Sequence, residues 1–234
     1  MVRDSKRVAH LRPMVYIVGV GPGSTEYLTE KAKEVISKAD IVVGWELDLL
    51  PAKDLIKDKE VHLQTVDNYV EVIEEVAREA EKTGKTVAVL RIGDPCVSSG
   101  LTRLLKVFEG FDVEIVPGIS SVQMAAAIAR VNIDESLIVS FHDGGDVNEK
   151  KGLMIEALRR GRHVIMLVGP DLSPSEAAKH LIANGISGDV PVVVCENLTL
   201  KDQKVFKGTL KEVLNKQFSW LSVMVIVSPR RELK

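Results

Sequence analysis

The stretch Val15–Gly23, Val-Tyr-Ile-Val-Gly-Val-Gly-Pro-Gly, constrains this chain more than any other. Its apolar, largely β-branched run has the character of a strand buried on both faces. The glycines at 19, 21 and 23 then allow a tight turn and a close backbone approach, because they carry no Cβ. Leu28, Ala32, Val35, Ile36 and Ala39 recur at helical spacing, so a helix follows. Strand, glycine turn and helix are the plan on which nucleotide sites are built. The dinucleotide fingerprint G-x-G-x-x-G fails, however, because position 24 is Ser24. Pro22 also removes a backbone N–H where a phosphate needs a donor. The turn therefore suits an adenosyl or apolar group, or is a plain tight turn.

The same alternation continues. Strands are expected at Ile41–Gly44, Val61–Leu63, Thr86–Leu90 and Val113–Val116, with helices over Leu47–Ile56 (broken at Pro51), Val66–Glu81 and Leu101–Phe108. Such a βαβα order implies a parallel sheet with helices on both faces. Ligands on such sheets sit beyond the carboxyl ends of the strands. Turns at Gly21, Gly93 and Gly118 all fall there and are candidates for one shared site. Beyond a helix at Ser120–Arg130 the pattern resets. Strands are expected at Leu137–Phe141, His163–Val168, Val190–Glu196, Lys204–Lys207 and Ser222–Val227, with helices at Lys151–Arg159, Glu176–Asn184 and Thr209–Leu214. The hairpin and final strand imply a mixed sheet. The expected architecture is two α/β domains with an inter-domain cleft: a basic N-terminal arm at 1–13, an N-terminal domain at 14–117 and a C-terminal domain at 118–234. Met14 is a candidate natural start.

A net charge of −2 argues against a nucleic-acid binder. No apolar run reaches the roughly 18–20 residues of a membrane span, and the basic arm lacks the apolar core of a signal peptide. Cys96 and Cys195 build no disulfide framework, which points to a reducing cytoplasm.

Several side chains invite a chemical reading. Asp94, in Gly93-Asp94-Pro95, is either an acceptor for a ligand hydroxyl or amine, or the head of an Asx turn. Ser120 and Ser121 either cap the following helix or face a ligand at its N-terminus. His142 ends a strand and can face the cleft, whereas His163 opens a strand and reads as structural. Cys96 reads as a filler residue rather than a nucleophile. His10, His62, His142, His163 and His180 show no metal-ligand spacing, so no metal site is expected. Arg91, Arg103 and Arg130 are each most simply solvated charges, yet together they would suit a substrate with several carboxylates.

Taken in order, Gly19–Gly23 with Leu28-Thr29, Ala39–Val43, Gly93-Asp94-Pro95 and Pro117-Gly-Ile-Ser-Ser121 resemble the tetrapyrrole methylase family. The likeness runs on through Glu196-Asn197 and Lys207-Gly-Thr-Leu210. Pro117–Ala126 followed by Val139–His142 is most similar to the branch that methylates C5 of cobalt-precorrin-7 in cobalamin biosynthesis. The chain departs from the uroporphyrinogen-III branch in having Gly44-Trp45 in place of Tyr-Asp. It departs from its own branch in Cys96–Ser99 and Asp143–Gly145. The resemblance implies S-adenosylmethionine bound in the cleft by Pro22, Gly93, Asp94, Val97, Ser120, Ser121, Val168 and Leu198; for a base that removes a ring proton, His142 at its strand end is the first candidate. It also implies a corrinoid or other tetrapyrrole substrate, a homodimer and a separate enzyme that next methylates C15 and decarboxylates. The rival readings are a uroporphyrinogen-III methyltransferase, a diphthine synthase and a non-catalytic S-adenosylmethionine-binding module.

Overall fold

The structure, a computed structural model, describes residues 12–142 and 145–228. Positions 1–11 of the expected arm, and Asp143 and Gly144, lie outside the described residues. The first sheet comprises β1 (Met14–Gly19), β2 (Ile41–Gly44), β3 (Glu60–Leu63), β4 (Val87–Arg91) and β5 (Asp112–Val116), in the order β3-β2-β4-β1-β5. Every pairing in it is parallel. The central strands β2 and β4 are buried throughout, as continuous apolar runs between two helical layers must be. The edge strand β3 is instead exposed along its length except at the half-buried His62.

Helix α1 (Glu30–Lys38) lays Ala32, Val35 and Ile36 on one face, against Val18, Val42 and Leu90. Helices α3 (Tyr69–Thr83) and α4 (Leu101–Val107) cover the other face, where Ile73, Val76 and Leu104 meet Ile17, Val43 and Val89. Between β2 and β3 lies the short α2 (Glu46–Leu49), followed by a 3-10 turn through Pro51. Helix α3 starts three residues later than its apolar spacing predicts. The Asn68 side chain accepts the Thr65 N–H at 2.6 Å, closing a turn that leaves Val66 exposed.

The second sheet has the order β6-β7-β10-β8-β9, from β6 (Ser136–Ser140), β7 (His163–Leu167), β8 (Pro191–Glu196), β9 (Lys204–Thr209) and β10 (Ser222–Ile226). Only β6–β7 is parallel; β7–β10, β10–β8 and β8–β9 are antiparallel. Helices α6 (Val147–Arg159) and α7 (Pro174–Ala183), with the one-turn α8 (Leu210–Val213), pack on one face through Met154, Leu181 and Leu210. Helix α6 begins a turn earlier than Lys151, because Asp146 caps it by accepting the N–H groups of Asn148 and Glu149. On the other face, α5 (Ser121–Ala129) packs Val122, Ala125 and Ala126 against Ile165, Val193 and Val225. At nine residues it is too short to cover that face, and Leu167, Cys195 and Val223 are left to line a cavity.

Candidate functional site

The three glycine turns meet. Val20 N–H donates to Arg91 O at 2.9 Å, and Gly21 and Gly93 exchange backbone hydrogen bonds of 3.3 and 2.7 Å. The third turn crosses both: a Cβ built on Gly118 would lie 2.2 Å from Gly93 O and 2.7 Å from the Gly19 carbonyl carbon. No side chain fits there, so glycine at 19 and 118 is a packing requirement of backbone on backbone.

Asp94 fastens the junction. One carboxylate oxygen accepts the Cys96 N–H at 2.7 Å, completing an Asx turn, and the other accepts the Gly118 N–H at 3.0 Å. The Asx-turn reading thus holds, with an added tie between the second and third turns. Ser120 is likewise the N-cap of α5. Its hydroxyl accepts the Val122 N–H, and its own N–H donates to Gln123 Oε1 at 2.6 Å. Ser24 caps the 3-10 turn after Gly23, and its N–H reaches across to Thr199 Oγ1 at 3.0 Å.

Below this junction, between the two sheets, opens a cavity of about 1240 Å³. A single small-molecule site typically spans roughly 300–1,000 Å³, so there is room for two ligands side by side. Pro22, Gly93, Asp94, Val97, Ser120 and Ser121 line it, as do Leu198 and His142. Val168 does not. Its side chain is buried in the C-terminal core with Phe141 and Met154, while Leu167 faces the cavity. Side chains alternate along a strand, so a slip of one residue exchanges the two faces. Arg130 is also absent from this cavity; it lies with Glu135 and His163 around a separate pocket, in a left-handed conformation after α5.

The residues at this site admit an adenosyl group better than a pyrophosphate. Pro22 has no N–H, and the N–H groups of Gly21, Gly93 and Gly118 are already taken. What remains is apolar surface from Val97, Leu167 and Leu198 with the Ser121 hydroxyl beside it. Ser98 on the cavity wall, and Asn197 and Thr199 on either side of the lining residue Leu198, have positive φ of 52°, 48° and 66°. Strain of this kind concentrates at ligand sites.

Sequence reading missed a buried polar cluster on the N-terminal wall. Arg91 follows the parity of Val87 and Val89 to the α3 side of the sheet, yet at the end of β4 it is only 7% exposed. Its Nη1 donates to Gln64 Oε1 at 2.9 Å and to Leu90 O at 2.7 Å, and lies 3.4 Å from Asp48 Oδ2. Asp48 accepts the N–H groups of Ile92 and Trp45 at 2.7 and 3.0 Å. Burial pushes the Asp48 carboxyl above its ordinary range, against the pull of the Arg91 guanidinium. Arg91 is therefore no solvated charge. Only an acid four residues beyond Gly44, spaced as in a one-turn helix, hinted at the pair.

Two aromatic walls complete the cavity. Trp45 and Tyr69 stack with ring centroids 6.0 Å apart on one side; His142 and Trp220 meet edge-on at 6.4 Å on the other. A Cβ on Gly169 would strike Phe141 O, so that glycine lets the segment ending in His142 pass close to the turn after β7. Cys195 is buried at the cavity wall, its thiol pushed up to about 11 by burial. Far from the cavity, Glu60, His62 and Glu79 bring ligand atoms within 4.8 Å of one another, a proximity their spacing did not reveal. The Lys85 ammonium already sits 2.6 Å from each carboxylate. Its hydrogen bond holds Glu60 down at about 2.

Known proteins share this design. A sequence profile of the Tetrapyrrole (Corrin/Porphyrin) Methylases matches residues 14–214. A probable cobalt-precorrin-7 C(5)-methyltransferase of Methanocaldococcus jannaschii is 38% identical over 91% of this chain and 97% of its own length. A cobalamin-biosynthetic precorrin-6Y methylase from Archaeoglobus fulgidus superposes with a TM-score of 0.68 at 26% identity, covering 94% of this chain and 99% of the other. A cobalt precorrin-4 methyltransferase gives a TM-score of 0.73 at 26% identity, over 91% and 94% of the two chains. With nearly its whole length so matched, the chain belongs to the tetrapyrrole methylase family.

Proposed function

We propose that this protein transfers a methyl group from S-adenosylmethionine to C5 of cobalt-precorrin-7, a step of cobalamin biosynthesis. The observation that carries the reading is the relative of that activity, 38% identical across nearly the full length of both chains. The cavity agrees with it in size and in chemistry, having apolar and aromatic walls and arginines to meet a polycarboxylated ring.

The donor supplies an already electrophilic methyl group, so the chain need provide no nucleophile. Its residues position and enclose. The crossed turns around Gly19, Gly93 and Gly118, with Pro22, Val97, Ser121 and Leu198, form the donor subsite. Trp45, Tyr69 and Trp220 hold the macrocycle flat against it. Holding two reactants in line is worth roughly 7–11 kcal/mol in favourable cases. Asp94 and Ser120 act by shaping the turns, and Val168 by backing Leu167. His142, at the cavity wall beside Trp220, is assigned to remove the ring proton.

We further take the chain to divide at 117/118, since α5 packs on the second sheet. Among the described residues no helix is long and apolar enough to cross a membrane. We place the enzyme in the cytoplasm as a homodimer, handing its product to a separate enzyme that methylates C15 and decarboxylates.

The test is incubation with cobalt-precorrin-7 and S-adenosylmethionine, read by mass spectrometry. One added methyl is expected, and none on uroporphyrinogen III. Methylation of the latter alone would overturn the assignment. In the same assay His142→Ala should turn over roughly 100-fold or more slowly; a wild-type rate across pH 6 to 9 would remove the base role.

A further inference from the structure

Arg91 keeps half of its guanidinium in reserve. All three of its side-chain hydrogen bonds leave from Nη1. Neither Nε–H nor Nη2–H has a partner among the described residues. Yet among those residues the one fully enclosed side-chain nitrogen or oxygen without a partner is His180 Nε2. The two free donors of Arg91 therefore each keep some accessible surface, and Arg91 is a lining residue of this cavity. They form the side-on edge of the guanidinium, the pair whose spacing matches a carboxylate. Arginine cannot shed its proton, so a residue this deeply buried needs an anion or water at that edge.

Asp48 does not fill that need. Its oxygens are engaged by the Trp45 and Ile92 N–H groups, and its contact with Arg91 is with Nη1 at 3.4 Å, on the far side of the fork. Gln64 braces the same Nη1 and anchors its own amide on Tyr69 O at 2.8 Å. Asp48 and Gln64 thus hold the guanidinium in one orientation and leave its edge bare. A second arginine stands on the same wall: Arg103 lies 5.3 Å from the Tyr69 ring centroid, and its Nη1 donates to Tyr69 Oη at 2.8 Å. Between them the stacked Trp45 and Tyr69 offer a flat apolar surface.

We propose that Arg91, assisted by Arg103, is a carboxylate-binding subsite that grips one acid side arm of the macrocycle while the ring lies on Trp45 and Tyr69. The proposal rests on the tetrapyrrole reading of the cavity and adds to it a residue that reads the substrate's acidic periphery. It also sets a direction for the substrate, because a clamped arm at the N-terminal wall limits how the ring can turn towards the donor.

The experiment uses two water-soluble corrins, cobyrinic acid with free carboxylates and cobinamide with amides in their place. Binding is read by quenching of tryptophan fluorescence, with calorimetry of S-adenosylhomocysteine as the check on the fold. Wild type should prefer cobyrinic acid. Arg91→Gln combined with Asp48→Asn, which leaves no unpaired charge, should lose about 10- to 100-fold in affinity for cobyrinic acid. Affinities for cobinamide and S-adenosylhomocysteine should stay unchanged. Equal losses on both corrins, or no loss on either, would overturn the subsite. Should the double variant fail to fold, Arg103→Gln at an exposed position must still weaken cobyrinic acid selectively, or the proposal fails. Wild type binding both corrins equally would sink the subsite alone; wild type binding neither would sink the tetrapyrrole reading with it.

Discussion

At the scale of single residues, the side chains nearest the donor subsite act mostly through the backbone. Asp94 spends both carboxylate oxygens on N–H groups, one within its own turn and one from Gly118 in the next. Removing it leaves the Gly118 donor without its acceptor, which costs roughly 1–3 kcal/mol. Asp94→Ala should therefore lower the melting temperature by several degrees. Calorimetry should show a loss of at least about tenfold in S-adenosylhomocysteine affinity, because the turns that shape the subsite come apart. Unchanged affinity would mean that the subsite does not depend on this tie. The acid was easy to single out from Gly-Asp-Pro. That it serves a neighbouring turn was not, since Gly118 lies 24 positions away and only packing brings it close.

The elements themselves were largely legible. Period-2 and period-3.6 patterns placed the strands and most helices of the described residues to within a turn, and hairpin spacing foretold the mixed second sheet. The helix expected over Leu47–Ile56 is only the one-turn α2 and a 3-10 turn ending at Ala52, and the 3-10 turn Thr25–Tyr27 was not foreseen. Other errors fell where a polar side chain decided an end, as at Asn68 before α3 and Asp146 before α6. Val168 shows a related limit: alternation settles which residues share a face but not which face meets the cavity, and here the side chain at the cavity is that of Leu167. At this scale the sharpest expectation concerns the crossing of the third turn over β1. Gly118→Ala inserts a methyl 2.2 Å from Gly93 O, and backbone on both sides cannot yield. A loss of about 1–3 kcal/mol or more is expected, measured by chemical denaturation. The same change at Gly110, where an added Cβ meets nothing within 4 Å, should be far milder, its cost limited to the positive φ of 93°.

For the whole molecule, the two sheets are joined by more than the covalent link before α5. Ser24 donates to Thr199, Gly23 packs against Leu200, and the Ser98 and Ser140 hydroxyls pair. Each contact ties an N-terminal turn to the C-terminal half, two to the Thr199-Leu200 loop and one to the end of β6. A ligand held between them should stabilise both sides together. Hydrogen exchange with and without S-adenosylhomocysteine should then show slowing in Gly93–Val97 and also in Asn197–Leu200. Protection confined to one lobe would mean that the donor does not bridge the cleft.

Local pattern alone determined the class of fold, the order of its elements, the glycine turns at the strand ends and the family, because periodicity, turn chemistry and short motifs are properties of neighbouring residues. Tertiary structure decided which side chains share the cavity. It turned the Val168 side chain into the core and Arg130 to a separate pocket, brought in Leu167 and Trp220, and buried Arg91 against Asp48 and Gln64, partners 43 and 27 positions distant. Those assignments turn on strand facing and on where a guanidinium finds its acceptors. Both are set when two layers close over each other, and neither is written in any window of sequence.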